Sequence, residues 1–180
     1  GEVYVHMPEP RVMVFVDGSN FYYGLRNNGF DTQLDFGKLG HELAGPDRRL
    51  IRVYYYTVSL LQDVDPERYE RQQAFLSAVR QQHYVRVRLG RLVPRGDTFV
   101  EKGVDTQIAV DMLRHASTDT YDVAILVSGD GDLACACEAV GELGKNVENA
   151  FFMRGRSQQL HNCSDVFLEI TEAMLKRCRP

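Results

Sequence analysis

Residues 11–16 read RVMVFV, an almost continuous apolar run rich in β-branched residues, and Asp17 follows directly. Such a run is typical of a β-strand that is buried on both faces, as in the centre of a parallel sheet. Residues 50–58 (LIRVYYYTV) favour a second strand, and residues 123–127 (VAILV) favour a third of the same buried character. The sequence therefore predicts a parallel sheet with residues 11–16 at its centre.

Helical patterns separate these strands. Helices are predicted at residues 66–82, 104–115 and 132–143, followed by a strand at 147–152 and a last helix at 164–176. Alternating strands and helices are typical of α/β proteins, in which crossovers place helices on both faces of the sheet. We therefore predict a three-layer α/β/α sandwich with a mainly parallel central sheet, and any ligand outside the carboxyl ends of its strands.

The length and composition fit one domain, since the chain has 180 residues of which 44% are hydrophobic and 26% charged. We expect this domain to span residues 11–180, and residues 1–10 (GEVYVHMPEP) to be disordered or vector-derived. No apolar run approaches the ~20 residues that a membrane-spanning helix needs, and no secretory signal is recognisable. We expect a cytoplasmic protein without a membrane partner, with its four cysteines reduced.

Acidic residues follow two of the predicted strands. Asp17 comes directly after the first, and Asp130 follows the third after only Ser128 and Gly129. The carboxyl ends of parallel strands share one edge of the sheet, so both acids can converge on one cleft. Carboxylates that are close together repel unless a cation is present, and such oxygen ligands suit Mg²⁺ or Mn²⁺. The alternative is that each aspartate caps the helix that follows it.

Further acids favour the metal interpretation. Asp105 stands at the start of the helix predicted at residues 104–115, and Asp132 lies two residues after Asp130. Four coincidental helix caps are less plausible than one acidic site. Asp111 is six residues after Asp105, a rotation of roughly 240° on a helix, so we expect it to point elsewhere.

Polar and aromatic residues accompany the acids. Asn20, one helical turn after Asp17, could contact a ribose or phosphate, and Ser128 could support the site, although both residues also suit turns. Tyr22 and Tyr23 could stack on unpaired bases and favour single-stranded RNA. Their spacing favours the alternative, which is packing of the first helix against the core.

Basic residues cluster locally although the formal net charge is −4. Such clusters could neutralise backbone phosphates or could be ordinary solvated surface. Arg86 and Arg88 alternate with apolar residues and should share one face of a strand. The two clusters consist of Arg48, Arg49 and Arg52, and of Arg86, Arg88, Arg91, Arg95 and Lys102.

Three separated motifs carry a family resemblance. VDGSNF at residues 16–21, KGVD at 102–105 and SGDGD at 128–132 together resemble, in order and spacing, the NYN domains of LabA-like proteins. That family belongs to the PIN-like superfamily. The resemblance implies a parallel sheet of strand order 3-2-1-4-5, an acidic pocket that holds Mg²⁺ or Mn²⁺, and ribonuclease activity. Gly131 and Leu133 depart from the usual family pattern, which bears on substrate preference more than on chemistry.

The resemblance also implies roles for individual residues. Asp17, Asp105 and Asp130 correspond to the catalytic, metal-binding acids, with Asp132 beside them at the metal and with Asn20 and Ser128 in supporting positions. For substrate binding, the basic and aromatic residues considered above suggest Lys102, Arg86, Arg88 and Tyr22.

The predicted function is hydrolysis of phosphodiester bonds in RNA, with single-stranded RNA favoured and a homo-oligomer as one conceivable state. A non-catalytic RNA-binding or regulatory module that keeps the acidic pocket is the alternative of a different class. A haloacid-dehalogenase-like phosphatase needs a second acid two residues after the first, where Ser19 stands in this chain.

Overall fold

A computed structural model describes residues 7–180, which form a seven-stranded sheet with helices on both faces. The strands are β1 (Arg11–Asp17), β2 (Arg49–Ser59), β3 (Val85–Arg95), β4 (Thr98–Lys102), β5 (Val123–Val127), β6 (Asn146–Phe151) and β7 (Val166–Glu169). The helices are α1 (Gly18–Asn27), α2 (Phe36–Ala44), α3 (Pro66–Gln81), α4 (Val104–Ser117), α5 (Ala134–Glu142), α6 (Gln158–Cys163) and α7 (Glu172–Arg177). A short 3₁₀ turn, Gly131–Leu133, precedes α5.

The order of strands in the sheet is β4-β3-β2-β1-β5-β6-β7. All neighbouring strands are parallel except β3 and β4, which form an antiparallel hairpin. Among the parallel strands alone, the expected order 3-2-1-4-5 is present and is extended by β7. The predicted α/β class and the central place of β1 are confirmed, and the strand order differs by the two edge strands β4 and β7.

Two cores lie on opposite faces of the sheet because successive residues of a strand point in opposite directions. Val12, Val14 and Val16 of β1 join one core with residues of α1, α2 and α3. Met13 and Phe15 join the other with residues of α4 and α5. The sheet is therefore covered on both faces, which explains why residues 11–16 have no polar alternation.

The prediction of one C-terminal helix at residues 164–176 is wrong in its first half. Val166–Glu169 forms β7 instead, and α7 spans only Glu172–Arg177. Asp165 does not cap a helix, because its carboxylate accepts a hydrogen bond from the backbone N–H of Val147 at 2.7 Å. Pairing with β6 thus overrides the local helical pattern.

Elements outside the sequence prediction are α2, the strand β4 and α6. The expectation that residues 1–10 are disordered or vector-derived concerns, for residues 1–6, a part of the chain outside the described residues. Residues 7–10 are described, and they are exposed and have no regular secondary structure. Within residues 7–180, no helix combines the length and the apolar character needed to cross a membrane.

Candidate metal centre

Three aspartates meet at the carboxyl edge of the sheet. Asp17 ends β1, Asp130 follows β5, and Asp105 lies in the first turn of α4. One carboxylate oxygen from each lies within 4.8 Å of those of the other two. Asp17 is buried, Asp130 is partly buried and Asp105 is exposed, so the cluster opens to solvent on one side.

The backbone at Gly18 explains why Asp17 points into this cluster. A Cβ atom at Gly18 would overlap the backbone carbonyl of Tyr56 and lie 2.6 Å from the ring of Tyr55. The chain can therefore turn from β1 directly into α1 only with glycine at this position. Asp17 stands at the N-cap position of α1, and the Ser128 hydroxyl is the group that donates a side-chain hydrogen bond to its carboxylate.

Asp105 and Asp130 are placed by two further turns. Gly103 has φ 90°, a left-handed conformation that favours glycine, and it joins the β-hairpin to α4. Asp130 does act as a cap, because one of its carboxylate oxygens accepts from the backbone N–H of Asp132 at 3.0 Å. Its other oxygen makes no hydrogen bond within the described chain and is available to the cluster.

Ser128 and Asn20 connect the two strands that carry the acids. The Ser128 hydroxyl donates to Asp17 at 3.0 Å, and it accepts from the backbone N–H of Asp130 at 3.0 Å. The Asn20 side-chain oxygen accepts from the backbone N–H of Gly129 at 2.7 Å. These bonds hold the loop after β5 against the start of α1.

The electrostatics of the cluster favour a bound cation. Burial raises the pKa of Asp17 to about 7, the hydrogen bond from Ser128 opposes this rise, and the nearby charges of Asp105 and Asp130 add to it. The pKa of Asp105 is also raised, first by partial desolvation and then by the charges of Asp130 and Asp132. Crowded carboxylates of this kind are hard oxygen donors whose mutual repulsion a divalent cation relieves, so the residues present fit Mg²⁺ or Mn²⁺.

Asp132 is outside the group of three carboxylates. It is exposed in the 3₁₀ turn, and its charge reaches Asp105. Its backbone N–H holds Asp130. The structure therefore brings Asp132 near the cluster as a neighbouring charge.

Asp111 points away from Asp105, as its spacing predicts. Its carboxylate accepts from the Tyr56 hydroxyl at 2.8 Å and pairs with Arg114 at 2.7 Å and with Arg88 at 3.5 Å. The Arg88 side chain therefore links β3 to α4. Arg86 lies on the same strand face and donates to a backbone carbonyl of its own strand at 3.1 Å.

The basic clusters lie at different edges of the sheet. Arg49 lies opposite Arg11 in the strand register, at the amino end of β1. The neighbouring Arg48 forms a salt bridge with Glu148 at 2.8 Å. Lys102 lies opposite Arg91 in the register of the β3–β4 hairpin, and both side chains are exposed. It stands three residues before Asp105, where the hairpin leads into α4. Of the residues predicted to bind substrate, Lys102 is thus on the same edge as the acids.

Tyr22 and Tyr23 do not pack into the core. Their exposed fractions are 40% and 58%, and their rings form an edge-to-face pair at 5.6 Å. The core-packing interpretation favoured by their spacing is therefore wrong.

Asn149 is a site residue that the sequence reading missed. It is fully buried in β6, and its side-chain NH₂ donates to the backbone carbonyls of Leu126 at 3.1 Å and Ser128 at 2.9 Å. It thereby fixes the end of β5 below the acids. The available signal was a polar residue inside the apolar run at residues 147–152.

Comparisons with known proteins give one family. The model of the NYN domain matches residues 11–171 of this chain. A solved structure of a protein of unknown function from Vibrio parahaemolyticus is 25% identical, with a TM-score of 0.69 over 91% of this chain and 94% of that chain.

A second solved structure, a provisionally assigned oxidoreductase from Parabacteroides merdae, is 18% identical and covers 90% of this chain and 31% of that chain. Its TM-score of 0.35 carries no structural argument. No curated protein matches the chain.

Proposed function

The chain belongs to the NYN domain family, part of the PIN-like nuclease superfamily, and we propose on this premise that residues 11–180 act as one metal-dependent ribonuclease domain. The proposed reaction is hydrolysis of phosphodiester bonds in RNA, with single-stranded RNA favoured. The observation that carries the proposal is the convergence of Asp17, Asp105 and Asp130 at the carboxyl edge of the sheet.

The three aspartates would hold Mg²⁺ or Mn²⁺, with Asp132 adding negative charge beside them. A divalent cation held there would stabilise the charge that develops on the phosphate and would lower the pKa of water. Asp17 contributes a ligand only as the carboxylate, so its raised pKa makes cation binding compete with one proton.

The surrounding residues orient these acids and neutralise the substrate. Ser128 donates to Oδ2 of Asp17 and would hold this carboxylate in place for the cation. Asn20 keeps the loop after β5 in place. Lys102 is proposed to pair with a substrate phosphate, while Arg86 and Arg88 contact RNA only where it extends along β3.

The test is cleavage of labelled single-stranded RNA, duplex RNA and single-stranded DNA in Mn²⁺, Mg²⁺ or EDTA. Wild type should cleave RNA only with metal, and Asp17→Asn should lose at least about 100-fold in rate because a cation ligand is removed. Asp47→Asn is the matched control, since Asp47 is exposed in the turn before β2 at the amino edge of the sheet. Binding of RNA without cleavage in any metal would instead indicate a non-catalytic RNA-binding module.

A cytoplasmic location and a homo-oligomeric state stay predictions from the sequence. Light scattering after size-exclusion chromatography measures the oligomeric state directly.

A further inference from the structure

A cleft of about 380 Å³ lies beside the metal centre, between α1, α3 and β2. It begins at Gly18 and Ser19, the two residues that follow Asp17. A cavity of this size is within the range of small-ligand pockets, roughly 300–1,000 Å³. It is therefore large enough for part of one nucleotide that extends away from the acids.

The floor of the cleft is lined by hydroxyl groups of tyrosine, serine and threonine side chains. Tyr55 is only 5% exposed and lines the cleft, and its hydroxyl makes no hydrogen bond to any residue in the range 7–180. A Cβ atom at Gly18 would lie 2.8 Å from this hydroxyl, so the group sits against the turn that follows Asp17. Ser19 and Thr57 add two more hydroxyls, 3.5 Å apart. Each of these hydroxyl groups can donate a hydrogen bond to a polar atom of a ligand.

The walls combine aromatic rings with positive charge. Tyr22 stands on the α1 side and Phe75 on the α3 side. Arg68 and Arg71 of α3 also line the cleft. Arg68 forms no salt bridge within the described chain, whereas Arg71 has a loose, exposed pair with Glu67 at 3.7 Å.

Glu101 also lines the cleft, but the two arginines outnumber this one acid and make the charge of the wall net positive. Aromatic rings beside guanidinium groups are the combination that binds unpaired bases and their phosphates.

We propose that this cleft binds one unpaired nucleotide of single-stranded RNA, adjacent to the phosphate that reaches Asp17. The base packs against the aromatic walls, the hydroxyls of Tyr55 and Ser19 bond to the base or ribose, and Arg68 pairs with the next phosphate. The inference rests on the proposed function, because the metal centre defines which phosphate is cleaved. A paired base is stacked within its duplex and cannot enter, which gives a physical reason for single-strand preference.

The first test is the binding of a fluorescent eight-nucleotide RNA in EDTA, measured by anisotropy, where no cleavage occurs. Tyr22→Ala and Arg68→Ala should each weaken binding by about 5- to 20-fold, from lost stacking and a lost phosphate contact. Phe99→Ala is the matched aromatic control, since Phe99 is also 40% exposed but lies on β4 outside the cleft. Arg80→Ala is the arginine control on the same helix, and both controls should change binding by less than about twofold.

The second test replaces single bases of this RNA by abasic sites. In wild type, loss of the base at one position should weaken binding, and Tyr22→Ala should cancel most of that difference because the lost base and the ring are partners. With Mn²⁺, the position of that base relative to the cut measures whether the cleft is adjacent to the cleaved bond.

The outcomes separate the cleft from the nuclease assignment. If wild type cleaves RNA while Tyr22→Ala and Arg68→Ala bind like wild type, the cleft inference is overturned and the nuclease assignment is unaffected. If wild type never cleaves but the abasic effect is present and disappears in Tyr22→Ala, the cleft is supported as an RNA site and the nuclease assignment fails. If Phe99→Ala and Arg80→Ala lost as much RNA affinity as the two cleft variants, the losses would reflect general surface effects, and the cleft inference would also be overturned.

Discussion

At the residue scale, the buried carboxylate of Asp17 lowers the free energy of unfolding when it is ionised. Its folded-state pKa of about 7 lies above the ordinary value of 3.8, mainly because the residue is buried. The folded chain therefore holds a proton that the unfolded chain has lost between these two pH values. Stability from this group is highest below pH 4, falls as pH rises, and reaches its lowest level above pH 7.

Asp17→Asn should consequently stabilise the metal-free protein at alkaline pH. Asparagine cannot ionise, so the gain in free energy of unfolding should be larger at pH 8 than at pH 4.5, by on the order of 1–3 kcal/mol. Urea denaturation in EDTA at both pH values measures this difference. A gain that is the same at both values would contradict the raised pKa.

Gly18 and Gly141 give a second comparison of single residues. Gly18→Ala should lower the free energy of unfolding by about 1–3 kcal/mol, because the new Cβ meets the backbone of β2 rather than a flexible side chain. Gly141→Ala in α5 meets no atom within 4 Å and should be neutral or stabilising by up to about 1 kcal/mol. Chemical denaturation of both variants tests the pair, and equal losses would contradict the packing argument.

At the element scale, Asp111 fastens α4 to the sheet. It contacts Tyr56 of β2, Arg88 of β3 and Arg114 of its own helix, and it is buried. Asp111→Ala should cost about 1–3 kcal/mol, because the buried Tyr56 hydroxyl loses its acceptor. Lys176→Ala, which removes only an exposed pair in α7, should change stability by less than about 0.5 kcal/mol. Thermal and urea unfolding measure both, and a negligible loss in Asp111→Ala would mean that this contact does not secure α4.

The two strands β1 and β5, which the sequence predicts almost to the residue, are those whose burial is nearly complete. β1 and β5 are apolar along their length because both faces of the central sheet are covered, so the pattern needs no tertiary information. β7 is an edge strand of four residues that depends on β6 for its hydrogen bonds. Its pattern could not be distinguished from a helix, because the pairing that decides its structure involves distant residues.

The same division applies to the site. The acids follow strands or begin a helix, so their convergence could be predicted from chain order and sheet geometry. The cleft could not be predicted in this way, because Tyr22 and Arg68 lie on helices, and strand order does not fix which way a helix face points. The interpretation of Tyr22 went wrong because helical spacing alone does not say which face the neighbouring helices leave open.

At the scale of the whole molecule, the two edges of the sheet differ in how their charges are compensated. At the amino edge, Asp122 is paired with Arg11, which lowers the pKa of this acid to about 2, and Asp119 is held by Arg11 and Lys145. At the carboxyl edge, burial and then the neighbouring carboxylates raise the pKa of Asp17 and of Asp105, and neither acid has a basic salt-bridge partner among residues 7–180. The fold thus satisfies its charges where it needs stability and leaves them unsatisfied where a cation can bind.

A cation that fills this deficit should stabilise the entire fold by linkage. At a Mn²⁺ concentration about 100 times the Kd, the free energy of unfolding should rise by about 2.7 kcal/mol, or roughly 5–10 °C for a chain of this size. The shift should be larger at pH 8 than at pH 6, where the proton on Asp17 weakens binding about tenfold. Differential scanning calorimetry in Mn²⁺ and in EDTA measures it, with Asp47→Asn expected to match wild type. An equal shift in Asp17→Asn would mean that Mn²⁺ binds elsewhere, since this variant lacks the buried ligand around which the centre is built.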